Sequence, residues 1–455
     1  MKKALISLVV ALICGGAHGE NLQRVKIGSA DLEGLHSRME KAGFDVGHSP
    51  VAGFVEVYGT DPFYIQPHLT SFDKIAEEGS DGVFDSLTPY YDPQESLQAM
   101  ADLAAAYPNY AALFELRELL AIEATTALGD SLYALQVTSG AGELKDRPKV
   151  LMIGQHHARE VMTPHAVIDG ARKLLADIAG DEQWRSFIEN NSVWFVPVVN
   201  PDGTHHVFDQ DRWWRKNRRD NGDGSYGVDI NRNYEFKWGE CGSNSGNGSS
   251  SVYRGPKAES EPETRIMEQL NRLLKAQFVI SYHSSGDEVL YPYRCGELGD
   301  ETIYYEIRDK LATTLGFGKR YASSSGEDFE QHYAYHGSIS FLLEIGSTFQ
   351  PDFSVYESTV KPNILKVIPF LKEELEQPFL TIAVESATGE PVSGIEVQVE
   401  EVPLFEGEIR VTDGFGKIRR RLEPGRYTVH VSAEGARKTQ TVVLEASSNT
   451  YTIRL

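Results

Sequence analysis

Apolar residues recur along this chain with two different periods, and the changes of period divide it into parts. A short strand-like run, Arg24–Ile27, is followed by Asp31–Ala42, where Leu32, Leu35 and Met39 stand three or four positions apart and predict one apolar helix face. Phe44–Val46 and Gly53–Tyr58 return to strand-like runs. Residues 20–85 therefore read as a small β-α-β-β unit, closed by an acidic, glycine-rich linker at 76–82.

From 86 to 376, apolar runs alternate with helical spacing. Strands are predicted at Tyr133–Val137, Lys149–Ile153, Val193–Val199, Phe278–Tyr282 and Ser340–Leu343, and helices at Thr163–Ile178 and Pro262–Lys275. Thr163 is the predicted N-cap of the first helix, with Pro164 at its first helical position. The alternation predicts one large α/β domain around a mostly parallel or mixed sheet. Beyond Pro378 the runs shorten: Leu380–Val384, Ile395–Val399, Tyr427–Val431, Thr439–Leu444 and Tyr451–Leu455, broken by Thr388-Gly389-Glu390-Pro391, Asp413-Gly414 and Pro424-Gly425. Residues 377–455 read as a separate antiparallel β-sandwich.

Residues 1–19, MKKALISLVVALICGGAHG, have the basic start, apolar middle and small-residue exit of a secretory signal peptide, and predict a secreted or periplasmic protein. Cys14 follows Leu12-Ile13 and lacks the small neighbour expected of a lipidated cysteine. Removing the signal leaves 455 − 19 = 436 residues and shifts the formal charge from −22 to −24 as Lys2 and Lys3 depart. That charge argues against a nucleic-acid or anionic-membrane partner. No later segment approaches the ~18–20 apolar residues of a membrane span. Cys241 and Cys295 are the remaining cysteines, and an oxidising compartment favours their pairing over two free thiols.

The reactive side chains cluster just after the predicted strands. His157 and Glu160 follow Ile153, Asn200-Pro201-Asp202-Gly203 follow Val199, His283 follows Tyr282, and Glu344 follows Leu343. In an open α/β sheet the crevice beyond the carboxyl ends of the strands is the binding site, so these groups are expected to converge. His157, Glu160 and the remote His283 would supply three ligands and leave a fourth position open, the pattern of a catalytic zinc. An H-x-x-E pair alone is a weak signal; Val161 breaks the longer H-x-x-E-H motif, and H-E-x-x-H is absent from the sequence.

The context is more specific. "GQHHARE", "NPDG", "DRWWRKNR", "GVDINRNYEFKWG", "YRGPKAESEPET", "ISYHSS" and "ISFLLEIG" follow one another in this order. Over roughly residues 90–370 the chain resembles the zinc carboxypeptidases of the carboxypeptidase A/B type. The resemblance implies an α/β fold with a large mixed eight-stranded sheet and helices on both faces, one zinc ion per catalytic domain, and peptide or protein C-termini as substrates. It implies His157, Glu160 and His283 as zinc ligands, Glu344 as the base that activates the zinc-bound water, and Arg215 as the residue meeting the oxyanion. Asn231 and Arg232 match the pair that grips the terminal carboxylate, Arg159 a further substrate-contacting arginine, Tyr321 the tyrosine that closes over substrate, and Asp229 the carboxylate that orients the first zinc histidine. His156 is expected to stand beside the metal without binding it. Counted without gaps from Tyr321, Asp328 falls at the base of the specificity pocket, where an aspartate goes with cleavage of C-terminal Lys or Arg. Residues 20–85 resemble the family's pro-segments and 377–455 its transthyretin-like sandwich, forming a small α+β unit and an all-β unit on either side of the catalytic domain. The rival reading is a zinc amidohydrolase of related architecture acting on acyl amino acids or cell-wall peptides.

Overall fold

The computed structural model describes residues 24–29, 31–41, 45–46, 54–58, 74–79, 87–298, 302–433, 436–447 and 449–455; the expected signal peptide, with Cys14, lies outside them. Four short strands, β1 (Arg24–Gly28), β2 (Asp45–Val46), β3 (Phe54–Tyr58) and β4 (Lys74–Gly79), form a sheet in the order β2-β3-β1-β4. The helix Leu32–Lys41 buries Leu35 and Met39 against Ile27, Val55 and Val57 of that sheet. The expected linker is thus corrected at its start, because its first residues belong to β4 and pair antiparallel with β1. Ile75 is the sole strong strand former in β4, so pairing with a neighbour decides its conformation and local preference does not.

The central sheet comprises β5 (Ala111–Glu115), β6 (Tyr133–Val137), β7 (Lys149–Gly154), β8 (Ser192–Val196), β9 (Phe278–His283), β10 (Glu288–Tyr291), β11 (Gly318–Tyr321) and β12 (Ile339–Glu344), in the order β11-β10-β12-β9-β7-β8-β6-β5. The four inner strands β8, β7, β9 and β12 run parallel, with antiparallel neighbours β6 and β10 on either side. Successive side chains of the inner strands point to opposite faces. Val150 and Met152 therefore join one core with Val167 and Leu174 of the helix Thr163–Gly180, while Leu151 and Ile153 join another with Ile266, Met267 and Leu270 of the helix Pro262–Leu274. Helices on both faces keep the inner strands wholly buried, which is why they read as unbroken apolar runs.

Thr163 does not cap its helix as expected. Met162 is the N-cap and Thr163 the first helical residue; its hydroxyl donates to the carbonyl of Glu160 (2.8 Å) and accepts from the N–H of Gln155 (3.0 Å). The hydroxyl thus braces the turn that carries His157 and Glu160.

The C-terminal sandwich pairs the sheet β15-β13-β18 with β14-β16-β17, built from β13 (Leu380–Glu385), β14 (Glu396–Val399), β15 (Lys417–Arg420), β16 (Gly425–Ala433), β17 (Ala436–Leu444) and β18 (Asn449–Arg454). It is not antiparallel throughout: β13 and β18, its first and last strands, run parallel from Leu380↔Asn449 to Glu385↔Arg454. A parallel pair needs a long connection, and the rest of the sandwich supplies it. The segment between β14 and β15 docks on the central domain. Ile409 N–H and Arg410 Nη1 donate to the carbonyl of Ala334 (2.9 and 2.7 Å), Tyr293 O–H donates to Glu408 (2.6 Å), and Phe405 packs 5.3 Å from the Tyr293 ring. Phe405 also fills the space over Gly296, where a Cβ would lie 2.2 Å from its ring. Asp146 bonds Lys417 and Arg419 across the same boundary.

Candidate active site

The carboxyl ends of the inner strands bring the reactive groups together. β7 ends at Gly154, and the turn behind it presents His157 and Glu160, with Nδ1 of His157 2.7 Å from Oε1 of Glu160. β9 ends at His283, whose Nδ1 lies 3.1 Å from both Nδ1 of His157 and Oε2 of Glu160. Beside it β12 ends at Glu344, in register with His283. Among the described residues, His157, Glu160 and His283 are the group of potential metal ligands whose donor atoms all lie within 4.8 Å of one another.

The donor set fits a zinc ion. Two imidazole nitrogens and a carboxylate oxygen face one another in a buried site, and ligands ~2.0–2.1 Å from a tetrahedral zinc lie roughly 3.3 Å apart, close to the observed spacings. The outer nitrogen of His157 is engaged as well: its Nε2 is 3.2 Å from Oδ1 of Asp229. Asp229 Oδ2 in turn accepts from Arg215 Nε (3.1 Å) and Nη2 (2.9 Å), and its Oδ1 from the N–H of Asn231 (3.0 Å). Burial pushes the Asp229 carboxyl up, but Arg215, Arg232 and His157 outweigh it and hold the group well below the usual carboxylate range. An ionised Asp229 would favour a proton on Nε2 of His157 and so leave Nδ1 free to hold a metal.

His156 faces elsewhere. Its Nε2 is 2.9 Å from Tyr234 O–H and 3.7 Å from Asp328, and burial lowers its pKa to about 3, so it is neutral. Glu344 is buried as well. Burial, then repulsion from Glu160, pushes its carboxyl well above the usual range, and Arg320, with Nη2 3.7 Å from Oε1, pulls the other way.

The remaining expected residues divide. Arg232 is buried, with Nε donating to Ser243 O (2.7 Å) and Nη1 to Asn231 O (2.8 Å). Asn231 accepts the N–H of Asp328 on Oδ1 (2.9 Å). Tyr321 ends β11 with an exposed side chain whose ring lies 4.5 Å from Tyr291. The guanidinium of Arg159 is buried over the Phe349 ring at 4.1 Å. Asp328 is completely buried, with its carboxylate turned toward His156. Asn200, from the "NPDG" stretch, caps the helix Pro201–Asp209 by accepting Gly203 N–H (3.0 Å) and donates to the carbonyls of His156 and Lys216 (3.1 Å each), so it ties the loops around the site. The disulfide Cys241–Cys295 joins two loops beside the site, the pairing that an oxidising compartment favours.

Two residues near the centre had no signal of their own in the sequence. Arg320 pairs with Glu288 (2.6 Å) next to Glu344, and Glu327 pairs with Arg232 (2.9 Å). Each is the neighbour of a residue that did attract attention, Tyr321 and Asp328. Only the strand and turn geometry turns the neighbour toward the site.

A mixed α/β sheet that gathers two histidines and a glutamate at its carboxyl edge defines a metallohydrolase architecture. The family model for zinc carboxypeptidases matches residues 96–365, and the chain belongs to that family, among the peptide hydrolases. The zinc carboxypeptidase A 1 of Drosophila melanogaster is 28% identical over 405 residues, covering 81% of this chain and 90% of that protein. The protein of the same name from Anopheles gambiae is 30% identical over 257 residues, covering 53% of this chain and 58% of its own length. The crystal structure of carboxypeptidase A from Helicoverpa armigera shares the fold, with a TM-score of 0.63 at 20% identity over 79% of this chain and 98% of that one. Among the described residues, no helix is long and apolar enough to cross a membrane.

Proposed function

We propose that this protein is an exported metallocarboxypeptidase that removes single residues from peptide C-termini. The observation that carries the reading is the buried group His157, Glu160 and His283, with Glu344 at the adjacent strand end and Arg232 buried close enough to act on the Asp229 that contacts His157. Zinc held there would acidify a water molecule and polarise the scissile carbonyl. With the metal held there, Glu344 would serve as the base, accepting a proton on its carboxylate and returning it to the departing amine. Arg215, oriented by Asp229, meets the charge that develops on the carbonyl oxygen. Arg232 and Asn231 grip the terminal carboxylate and so restrict attack to the last peptide bond, while Arg159 contacts the chain further from it. Tyr321, at the exposed end of β11, closes over the bound residue. We place residues 20–85 as a pro-segment-like unit, 86–376 as the catalytic domain and 377–455 as a transthyretin-like domain. Export is supported by the leader pattern of residues 1–19 and by the disulfide.

The test is a digest of one peptide with a free C-terminus and the same peptide blocked as an amide, followed by mass. Shortening of the free peptide by one residue, with the blocked one intact, is expected. Cleavage of both would shift the assignment to the amidohydrolase reading. Glu344→Gln should lower turnover of the free peptide by roughly 10²–10⁴-fold while zinc stays bound.

A further inference from the structure

We propose that Arg320, anchored by Glu288, is the positioning residue for Glu344 and aims that carboxylate without bonding it; the inference rests on the carboxypeptidase reading above and adds a further part to the same site. The sheet brings the three side chains together. Glu288 of β10 stands directly opposite Glu344 of β12, and Arg320 of β11 stands opposite Leu290, the next residue of β10 on that face. Two acids directly opposite each other repel, and an arginine one diagonal step away has the reach to lie over both. Arg320 does so. Its Nε donates to Oε2 of Glu288 (2.6 Å), and its Nη2 stands 3.7 Å from Oε1 of Glu344.

The difference between those two distances defines the role. The shorter contact is a charge-assisted hydrogen bond; the longer one exceeds hydrogen-bond range and acts through charge alone. Ser323 holds the same guanidinium from another side, accepting from Nη1 on Oγ (2.8 Å). A guanidinium bonded directly to Glu344 would occupy the lone pair that a base needs. Held back by Glu288 and Ser323, Arg320 attracts the carboxylate and leaves that lone pair to the proton. Glu160 and Glu288 repel Glu344, while the other attracting cation, Arg215, is committed to Asp229 through Nε and Nη2. The Glu344 side chain is 3% exposed against 28% for Arg320, so water barely screens the attraction at the acid's end. The chain also closes tightly over both acids: a Cβ at Gly286 would lie 3.3 Å from Oε2 of Glu288 and 3.4 Å from Cβ of Glu344.

The experiment measures kcat and KM separately for the zinc-loaded full chain and its variants on one peptide with a free C-terminus, with zinc content read alongside. Arg320→Ala is expected to lower kcat at least about tenfold while KM stays within about twofold and zinc stays bound, because the contact serves the base and not substrate binding. Arg320→Lys restores the charge and should run at least about threefold faster than Arg320→Ala, whereas the neutral Arg320→Gln should not. Glu288→Gln releases the guanidinium to bond Glu344 and should also lower kcat; combined with Arg320→Ala it should cost nothing more. A smaller loss in Arg320→Ala, a KM that rises with the fall in kcat, equal kcat in the Lys and Gln variants, or losses that multiply in the double variant overturns the assignment. If Arg320→Ala does not fold, the Lys and Gln variants decide by the same threefold difference. Wild type that does not shorten the peptide instead sinks the carboxypeptidase reading itself, and this inference with it.

Discussion

Among the described residues, two arginine–glutamate pairs buried on both sides are finished differently. Where the sandwich docks, Arg410 Nη2 donates to Glu408 Oε2 (3.1 Å), Tyr293 caps the other oxygen (2.6 Å), and Arg410 Nη1 donates to Ala334 O (2.7 Å) and Ile409 O (2.9 Å). At the candidate active site Arg232 holds Glu327 at 2.9 Å, and one oxygen of Glu327 has no partner. Both pairs bear the cost of leaving water. At the docking surface neighbouring groups complete the carboxylate, so the pair serves as a fixed joint; at the site an unsatisfied oxygen remains available to a ligand. Substitutions at the site should therefore alter catalysis or metal binding, and substitutions at the joint should alter stability.

The largest effect is expected at the centre. His157→Ala should lose both zinc and activity, whereas His156→Ala, which gives up a bond to Tyr234, should keep its metal; zinc content by atomic absorption reads both. Loss of zinc from the His156 variant would move the metal to the other histidine. Next, Glu408→Ala strands Arg410 in the docking surface and should cost about 3–5 kcal/mol by denaturant unfolding. The comparison fails if kcat/KM of the still-folded fraction falls in parallel.

A third contrast uses pH. Burial, with Glu261 and Asp202 nearby, pushes the Glu263 carboxyl up to about 8 from an ordinary 4.5. Between those values the folded state holds a proton that the unfolded chain releases, so this group's contribution to stability is present below about 4.5 and lost as pH rises through about 8. Glu263→Gln should remove that loss. Its melting temperature, compared with wild type, should gain from pH 5 to pH 8; a constant difference across this range would refute the assignment. The smallest effect lies far from both pairs. Asp92 caps the helix Pro93–Ala106 in a reciprocal arrangement with Glu95, and Asp92→Ala should cost about 1 kcal/mol in thermal unfolding with activity unchanged.

Much of the architecture was legible in hydrophobic pattern. β6 matches its expected span, β7 and β9 extend one residue past theirs to Gly154 and His283, β12 extends one residue at each end to reach Glu344, and β8 stops at Val196, three residues short of its expected end; the inner strands were legible because coverage on both faces makes them largely apolar. The peripheral strands β5, β10 and β11 were not legible; GKRY of β11 carries its identity in its pairing with β10. The sequence order of motifs named the family and the three potential metal ligands. Covalent neighbours, however, share no common direction in space. His156 and His157 are adjacent, yet one turns to Tyr234 and the other to Glu160; Glu327 and Asp328 are adjacent, yet one meets Arg232 and the other faces His156. By itself the sequence determined which residue types stand at the strand ends, since periodicity and motif order are one-dimensional properties. Which of two neighbours enters the site was decided by the turns that follow those strands, because only backbone conformation sets where a side chain points.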